Sequence, residues 1–427
     1  MIPREKRHEP AGTFSSDALS GKKDNQRIKL AIIHTASLLN LRGSEYWVID
    51  VGNLLSKESF VVKVINFDFA RRYEKDPAEI RRRLATIKTG FDSGVSLTRL
   101  PSLSLRLPFS RRWYGTPVDA AVDRYLHFLP INRRFLRLLR SSDVIYFVVS
   151  QGNPAYLVVV LGASILAGWK PVVAGMHVTP RIRTSELALL KLAAKVGALR
   201  AIHIVNRSHE PELRGIGCRV EYIPNGVQYD RFYSDIENRA RQDQFKVLFV
   251  GAMTRAKGAD LLPRIYSSIK SQGLEFLLEI CTSGGELTET IKDWSKNKPD
   301  VLYKGFVERN ELSRLYAQAS VALFPSRKEG FPLACLEVQA SGTPVVVAAV
   351  PGLTQAVSNE VTGIIVPDQD VDSFGRAVAE IHSLWKFERQ NYLVMCRKAQ
   401  ENVRDNFQWT GTAASLSKLL LSVLRDR

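Results

Sequence analysis

FPSRKEGFPLACLEVQASGTP, Phe324 to Pro344, is the stretch from which the rest of the chain can be read. It sets two glutamates, Glu329 and Glu337, around a short loop that opens a helix. Ser326 to Gly330 is rich in loop formers, while Leu333 to Ala340 reads as helix with an apolar face. The turn Gly330-Phe331-Pro332 leaves the first helical N–H groups without partners, and such groups plus the helix dipole suit an anion or sugar hydroxyls. Eight residues of helix rise about 12 Å, which keeps these carboxylates from the ~5 Å separation of a retaining glycosidase pair. The spacing suits one long ligand held at both ends, its charged centre at the helix N-terminus. A nucleotide sugar has that shape: hexose, diphosphate, ribose. Alone, an E-x7-E is more often a capped helix with two solvated glutamates.

The stretch has company. EGFPLACLE closely resembles the donor-sugar motif of the GT-B glycosyltransferases of family 4. The resemblance continues through SGTPVVVAAVPGLTQAVSNEVTGIIVPD, Ser341 to Asp368, where that family carries its A-x-G-x-P-V-V and G-x-L-V-P segments. IPNGVQYDRF, Ile223 to Phe232, is similar to its interdomain signature, with Gln228 at the usual Asp. The resemblance is strong from about Ala201 to Pro367 and patchy upstream. It implies an α/β GT-B fold: two Rossmann-like parallel-sheet domains facing across a cleft, with a C-terminal helix crossing back to the first.

The periodicity agrees. RIKLAIIHT, Arg27 to Thr35, reads as a buried strand followed by a helix from about Tyr46. Strands are expected at Phe60–Asp68, Val144–Val149, Pro171–Gly175, Ala201–Val205 and Arg219–Ile223, with helices from Pro77 and Val118. A second series starts at Phe245–Val250 and runs through Phe276–Cys281, Val301–Tyr303, Val321–Phe324, Pro344–Val347 and Ile364–Val366. Strands alternating with helices signal parallel sheets covered on both faces. The domain boundary is placed after Gly226, giving residues 1–26 as a disordered tail, 27–226 as an acceptor-side domain and 227–406 as the donor domain. FQWTGTAASLSKLLLSVLRD reads as an amphipathic helix, and residues 407–427 are assigned back to the first domain. Thr98 to Gly115, basic and interleaved with leucine and aromatics, reads as irregular.

The chemistry is expected at the ends of strands. VGAMTRAKGADLL, Val250 to Leu262, aligns with a family segment whose Arg and Lys bind the donor diphosphate. Lys257 and Gly258 match it; Ala252 stands at the Arg position, with Arg255 three residues later. A fixed ammonium beside helix N–H groups can stabilise a departing nucleoside diphosphate without a metal ion. The resemblance implies retention, with Glu329 on the sugar hydroxyls, Glu337 on the ribose, and Gly330, Phe331, Pro332 and Leu333 forming the turn that holds sugar and phosphate oxygens. Gly251 and Gly43 are further donor-binding candidates, Gly43 as a turn glycine. His177 follows the strand PVVAGM and matches a histidine that contacts the transferred sugar; a structural histidine bonded to a loop carbonyl is the other reading. His34 and His203, inside apolar strands, read as core. Asp368-Gln369-Asp370 looks like the metal motif of the GT-A fold, but its place before a helix favours an N-cap, and no metal is assigned.

Composition bounds the partners. With 427 residues, 45% hydrophobic and 24% charged, the chain can build two cores. A formal charge of +17 favours acidic partners: a phosphate-rich donor, or an anionic membrane face that a lipid-linked or glycan acceptor would occupy. Nucleic acid is not expected, since no RNP, zinc-finger or helix-turn-helix text appears. The four cysteines, Cys218, Cys281, Cys335 and Cys396, are scattered and suit a reducing compartment; a cytoplasmic, peripherally bound protein is the expectation. A dehydrogenase would show G-x-G-x-x-G after its first strand, which neither Thr35–Glu45 nor Gly251–Gly258 carries. An inactive GT-B scaffold, favoured by Ala252, and a GT-B sugar epimerase stay open.

Overall fold

The computed structural model describes residues 27–34, 43–68, 85, 87–101, 103–104, 127–128, 132–149, 154–177, 182, 184–237 and 242–425. The expected tail 1–26, the first part of the helix expected from Pro77, the start of the helix expected from Val118, and residues 102 and 105–115 of the basic segment lie outside them; residues 85 and 87–90 are helical, as the Pro77 reading expects.

Runs such as Leu30–Ile33 and Ile145–Val148 are buried, as strands covered on both faces must be. Seven parallel strands form the first sheet: β1 (Ile28–His34), β2 (Phe60–Asp68), β3 (Val95–Pro101), β4 (Val144–Val149), β5 (Val172–Met176), β6 (Leu199–Ile204) and β7 (Arg219–Tyr222). Their order is β3-β2-β1-β4-β5-β6-β7. The second sheet has six parallel strands: β8 (Lys246–Val250), β9 (Leu277–Cys281), β10 (Val301–Gly305), β11 (Val321–Phe324), β12 (Val345–Ala348) and β13 (Gly363–Val366). It is ordered β10-β9-β8-β11-β12-β13. Both orders reverse once, between β1 and β4 and between β8 and β11. Open α/β sheets bind ligands at the carboxyl ends of strands flanking such a reversal.

Two readings are corrected. Thr98 to Pro101 is not irregular: it completes β3, paired in register with β2 from Val62↔Val95 to Asp68↔Pro101. As an edge strand it tolerates a terminal proline, because no outer neighbour needs that N–H. Helix α1 spans Gly43–Lys57, so Gly43 opens the helix, which begins earlier than about Tyr46.

Helices α2 (Arg309–Gln318), α3 (Leu333–Ala340), α4 (Val371–Phe387) and α5 (Arg389–Asn406) surround the second sheet. The final helix, α6 (Trp409–Arg425), buries Trp409, Ala413, Leu416, Leu420 and Val423, a stripe at helical spacing, against Trp47, Val48, Val51 and Leu55 of α1. The crossing back is tight. Val227 N–H donates to Phe407 O at 2.9 Å, and a Cβ on Gly226 would lie 2.3 Å from the Gln408 carbonyl carbon. Only glycine admits that approach. Gln228 donates to Asp50 Oδ1 of α1 at 2.8 Å, so an aspartate there would set two carboxylates face to face.

Candidate active site

Two loops leave the strands that flank the reversal in the second sheet. After β8 the chain makes a 3-10 turn, Arg255–Lys257, capped by Thr254, whose side chain accepts from Lys257 N–H. Gly258 ends the turn at φ 70°, where a Cβ would meet the Pro325 carbonyl oxygen at 2.0 Å. Glycine there lets the turn lie directly on the loop that follows β11. Arg327 fastens the two: its N–H donates to Ala256 O at 2.9 Å and its guanidinium to Arg255 O at 2.7 Å and to both Asp260 oxygens. Asp260 is held below the usual carboxylate range chiefly by that hydrogen bond from Arg327.

This contact brings Lys257 to Glu329. The ammonium lies 2.6 and 2.7 Å from the two carboxylate oxygens, and Ser326 Oγ donates to Oε1 at 2.8 Å. Glu329 is 7% exposed and Lys257 36%, so the carboxylate is sunk while the cation borders the cleft. The backbone of Glu329 rests on Gly352, whose Cβ would come within 2.8 Å of it. Beyond it, Pro332 stands at the N-cap of α3 and no side chain caps the helix. Among the described residues, the N–H groups of Gly330, Phe331 and Leu333 have no partner. A buried carboxylate, a half-exposed ammonium and free N–H groups at a helix start can grip a polar, anionic ligand.

Glu337 has different company. Tyr316 hydroxyl donates to Oε2 and Arg309 to Oε1, both at 3.3 Å. Arg309 in turn lies 4.1 Å over the ring of Tyr46, three residues into α1 from Gly43. Burial pushes Glu337 above the usual carboxylate range, and Arg309 opposes the rise. The estimate of separation from eight helical residues does not hold, because Glu329 precedes α3, which starts at Leu333. Each carboxylate has its own cation, Lys257 at Glu329 and Arg309 at Glu337.

The first domain closes the other side. Asn206, buried after β6, donates to Gly330 O at 3.0 Å, while its Oδ1 accepts from Gln355 at 2.7 Å. Leu333 packs against the apolar cluster of Trp47 and Tyr146 as well as its own core. His177, immediately after β5, is partly buried; its ring meets the Tyr146 hydroxyl at 3.2 Å and the Trp47 ring edge-on at 4.7 Å. That contact is not the loop carbonyl of the structural alternative.

Comparison with known proteins fits this geometry. Residues 231–414 match the family model described as glycosyl transferases group 1. The second domain belongs to that family. The chain is 32% identical over 176 residues to a glycosyltransferase of Methanocaldococcus jannaschii, a match covering 40% of this chain and 44% of the relative. It is 25% identical over 313 residues to the GDP-mannose-dependent alpha-(1-6)-phosphatidylinositol monomannoside mannosyltransferase of Mycobacterium tuberculosis, covering 68% of this chain and 79% of that one. The match thus spans less than half of the first relative's length. A solved glycosyltransferase from Rickettsia africae superposes with a TM-score of 0.68 at 14% identity, covering 94% of this chain and 100% of that one. Together these place the whole chain in the GT-B fold and its second half in group 1.

Within the group 1 domain the remaining candidates are less direct. Arg255 is exposed, and the surrounding loops use its backbone: N–H to Glu286 at 2.9 Å and C=O from Arg327. Gly251 directly follows β8 and donates its N–H to Cys281 O at 3.2 Å. Phe331 is buried, 5.7 Å from the Phe407 ring. Asp370 caps α4 by accepting from Ser373 N–H at 3.1 Å, the capping role expected of it. Sequence reasoning missed Ser326, Arg309, Asn206 and Gln355. For Asn206 a signal existed, since it follows a parallel strand at its carboxyl end; Arg309 and Gln355 carried none.

Proposed function

We propose that the chain transfers a hexose from a nucleotide-diphosphate sugar to an acceptor hydroxyl, with retention of configuration and without a metal ion. The observation that carries this is the convergence of Lys257, Glu329 and the free N–H groups of Gly330, Phe331 and Leu333 at the reversal of the second sheet. In this reading Glu329 takes the hexose hydroxyls and Glu337 the ribose. Charge developing on the leaving diphosphate falls at the start of α3, where Lys257 and the backbone donors are already in place. Glu329 and Glu337 are each engaged by a cation, which supports front-face substitution over double displacement through either carboxylate.

The acceptor would enter from the first domain. The mycobacterial relative's name, a GDP-mannose-dependent phosphatidylinositol monomannoside mannosyltransferase, supports GDP-mannose as the first donor to try and a lipid-linked acceptor before a soluble glycan. The net charge of +17 suits work at an anionic, cytoplasmic membrane face. Ala252 favours a second reading, a scaffold without turnover.

Release of nucleoside diphosphate from a panel of UDP-, GDP- and ADP-sugars tests the proposal. One donor should be turned over by wild type, with kcat lower by about 100- to 1000-fold in Lys257→Ala and in Glu329→Ala. The anomeric proton of the product should report retention. No turnover with any donor would support the scaffold.

A further inference from the structure

A hydrogen-bond chain runs across one face of the first sheet. Tyr146 on β4, Gly175 on β5 and His203 on β6 project to the same face of three adjacent strands, with Gly175↔His203 in register. Gly175 has no side chain, and a Cβ there would lie 1.9 Å from the Tyr146 hydroxyl. Its absence lets the tyrosine cross β5 and reach His203 Nδ1 at 2.6 Å, while the same hydroxyl meets His177 Nε2 at 3.2 Å. His203 Nε2 faces Ile223 O at 2.7 Å. Trp47 stacks on the Tyr146 ring at 5.0 Å and holds the assembly from α1.

Counting protons fixes every direction. A carbonyl oxygen only accepts, so His203 Nε2 carries the hydrogen. Burial holds His203 at about 4, so at neutral pH its Nδ1 is a lone pair and the Tyr146 hydroxyl donates to it. The hydroxyl's single proton is then committed. Its oxygen must accept from His177, so His177 Nε2 carries a hydrogen. Burial first, with His203 and His34 nearby, holds His177 well below the usual imidazole range, so it is neutral and its Nδ1 is bare. Among the described residues that Nδ1 has no partner, and His177 stands one strand from Asn206, which bonds the Gly330 loop.

We infer that Tyr146 and His203 are positioning residues that lock His177 in the Nε2–H tautomer, so that it offers the donor sugar a hydrogen-bond acceptor. The sugar half of this inference rests on the proposed function; the tautomer half does not. The locked ring would select a hydroxyl able to donate at that point of the hexose.

Nitrogen NMR of isotope-labelled histidine, with His177 assigned by substitution, reads the tautomer directly. Wild type should show neutral Nε2–H. In His203→Leu the Tyr146 hydroxyl is freed to donate to His177 Nε2, so the ring should reverse to Nδ1–H. In Tyr146→Phe both tautomers should appear. Side chains that serve only to pack would move neither signal, and a hydrogen-bond lock without a sugar contact would move the tautomer alone. The KM for the nucleotide sugar should rise about tenfold in His203→Leu, the worth of one hydrogen bond, with affinity for the nucleoside diphosphate alone unchanged. If both variants keep Nε2–H, the lock is overturned. If the tautomer reverses and KM stays put, the sugar contact is overturned. A wild type that turns over no nucleotide sugar would remove the proposed function and the sugar contact with it, leaving the tautomer result to stand by itself.

Discussion

His203 is fully buried, and desolvation outweighs the Ile223 carbonyl bond that would favour its charged form, leaving it at about 4. In the unfolded chain an imidazole titrates near 6.5. As pH falls, the unfolded state binds this proton first, so the contribution is complete above the unfolded value and is lost on the way down to the folded one. Between about pH 6.5 and pH 5 one such proton removes about 2 kcal/mol. Asp50 and Glu337, raised by burial, act with the opposite sign. Urea unfolding of wild type and His203→Phe across that interval isolates the histidine: the wild-type slope should be the steeper, and equal slopes would contradict the assignment. Residue by residue, the sequence made Lys257, Glu329 and His177 visible because each stands in a recognisable motif. It could not show that Lys257 and Glu329 pair with one another across 72 positions, nor that a core histidine reaches His177 through a tyrosine.

At the scale of elements, helix α3 was legible to the residue, since its apolar face and the Gly-Phe-Pro turn are local signals. The strands fell within a residue or two for the same reason. What was hidden is which loops touch, because parallel sheets join carboxyl ends that are far apart in sequence. Gly258 is where that contact is decided: its φ of 70° and the nearness of Pro325 O exclude a side chain. Gly258→Ala should cost about 2 kcal/mol or more in denaturant unfolding and weaken donor binding by pulling Lys257 off the Glu329 loop. Wild-type stability in this variant would mean the two loops do not depend on that contact. Thr98 to Pro101 misled for a related reason. An edge strand ending in proline carries the composition of a loop, and only its pairing with β2 shows what it is.

For the whole molecule, two doubly wound sheets are tied together by contacts that include the following. The segment at Phe407 crosses beside Val227 and sends α6 onto α1; Arg309 stacks on Tyr46; Asn206 holds the Gly330 loop. These ties hold the free N–H groups of α3 against the first domain, so a ligand bound there would touch both halves. A ligand that binds the folded state alone raises the unfolding temperature, which makes the claim measurable before any acceptor is known. The most direct test is the thermal unfolding of wild type, Glu329→Ala and Lys257→Ala with each UDP-, GDP- and ADP-sugar. One nucleotide sugar should raise the wild-type midpoint by several degrees, with the response lost in both variants. A wild type indifferent to every nucleotide sugar, or variants that respond as it does, would contradict a donor site at Lys257 and Glu329.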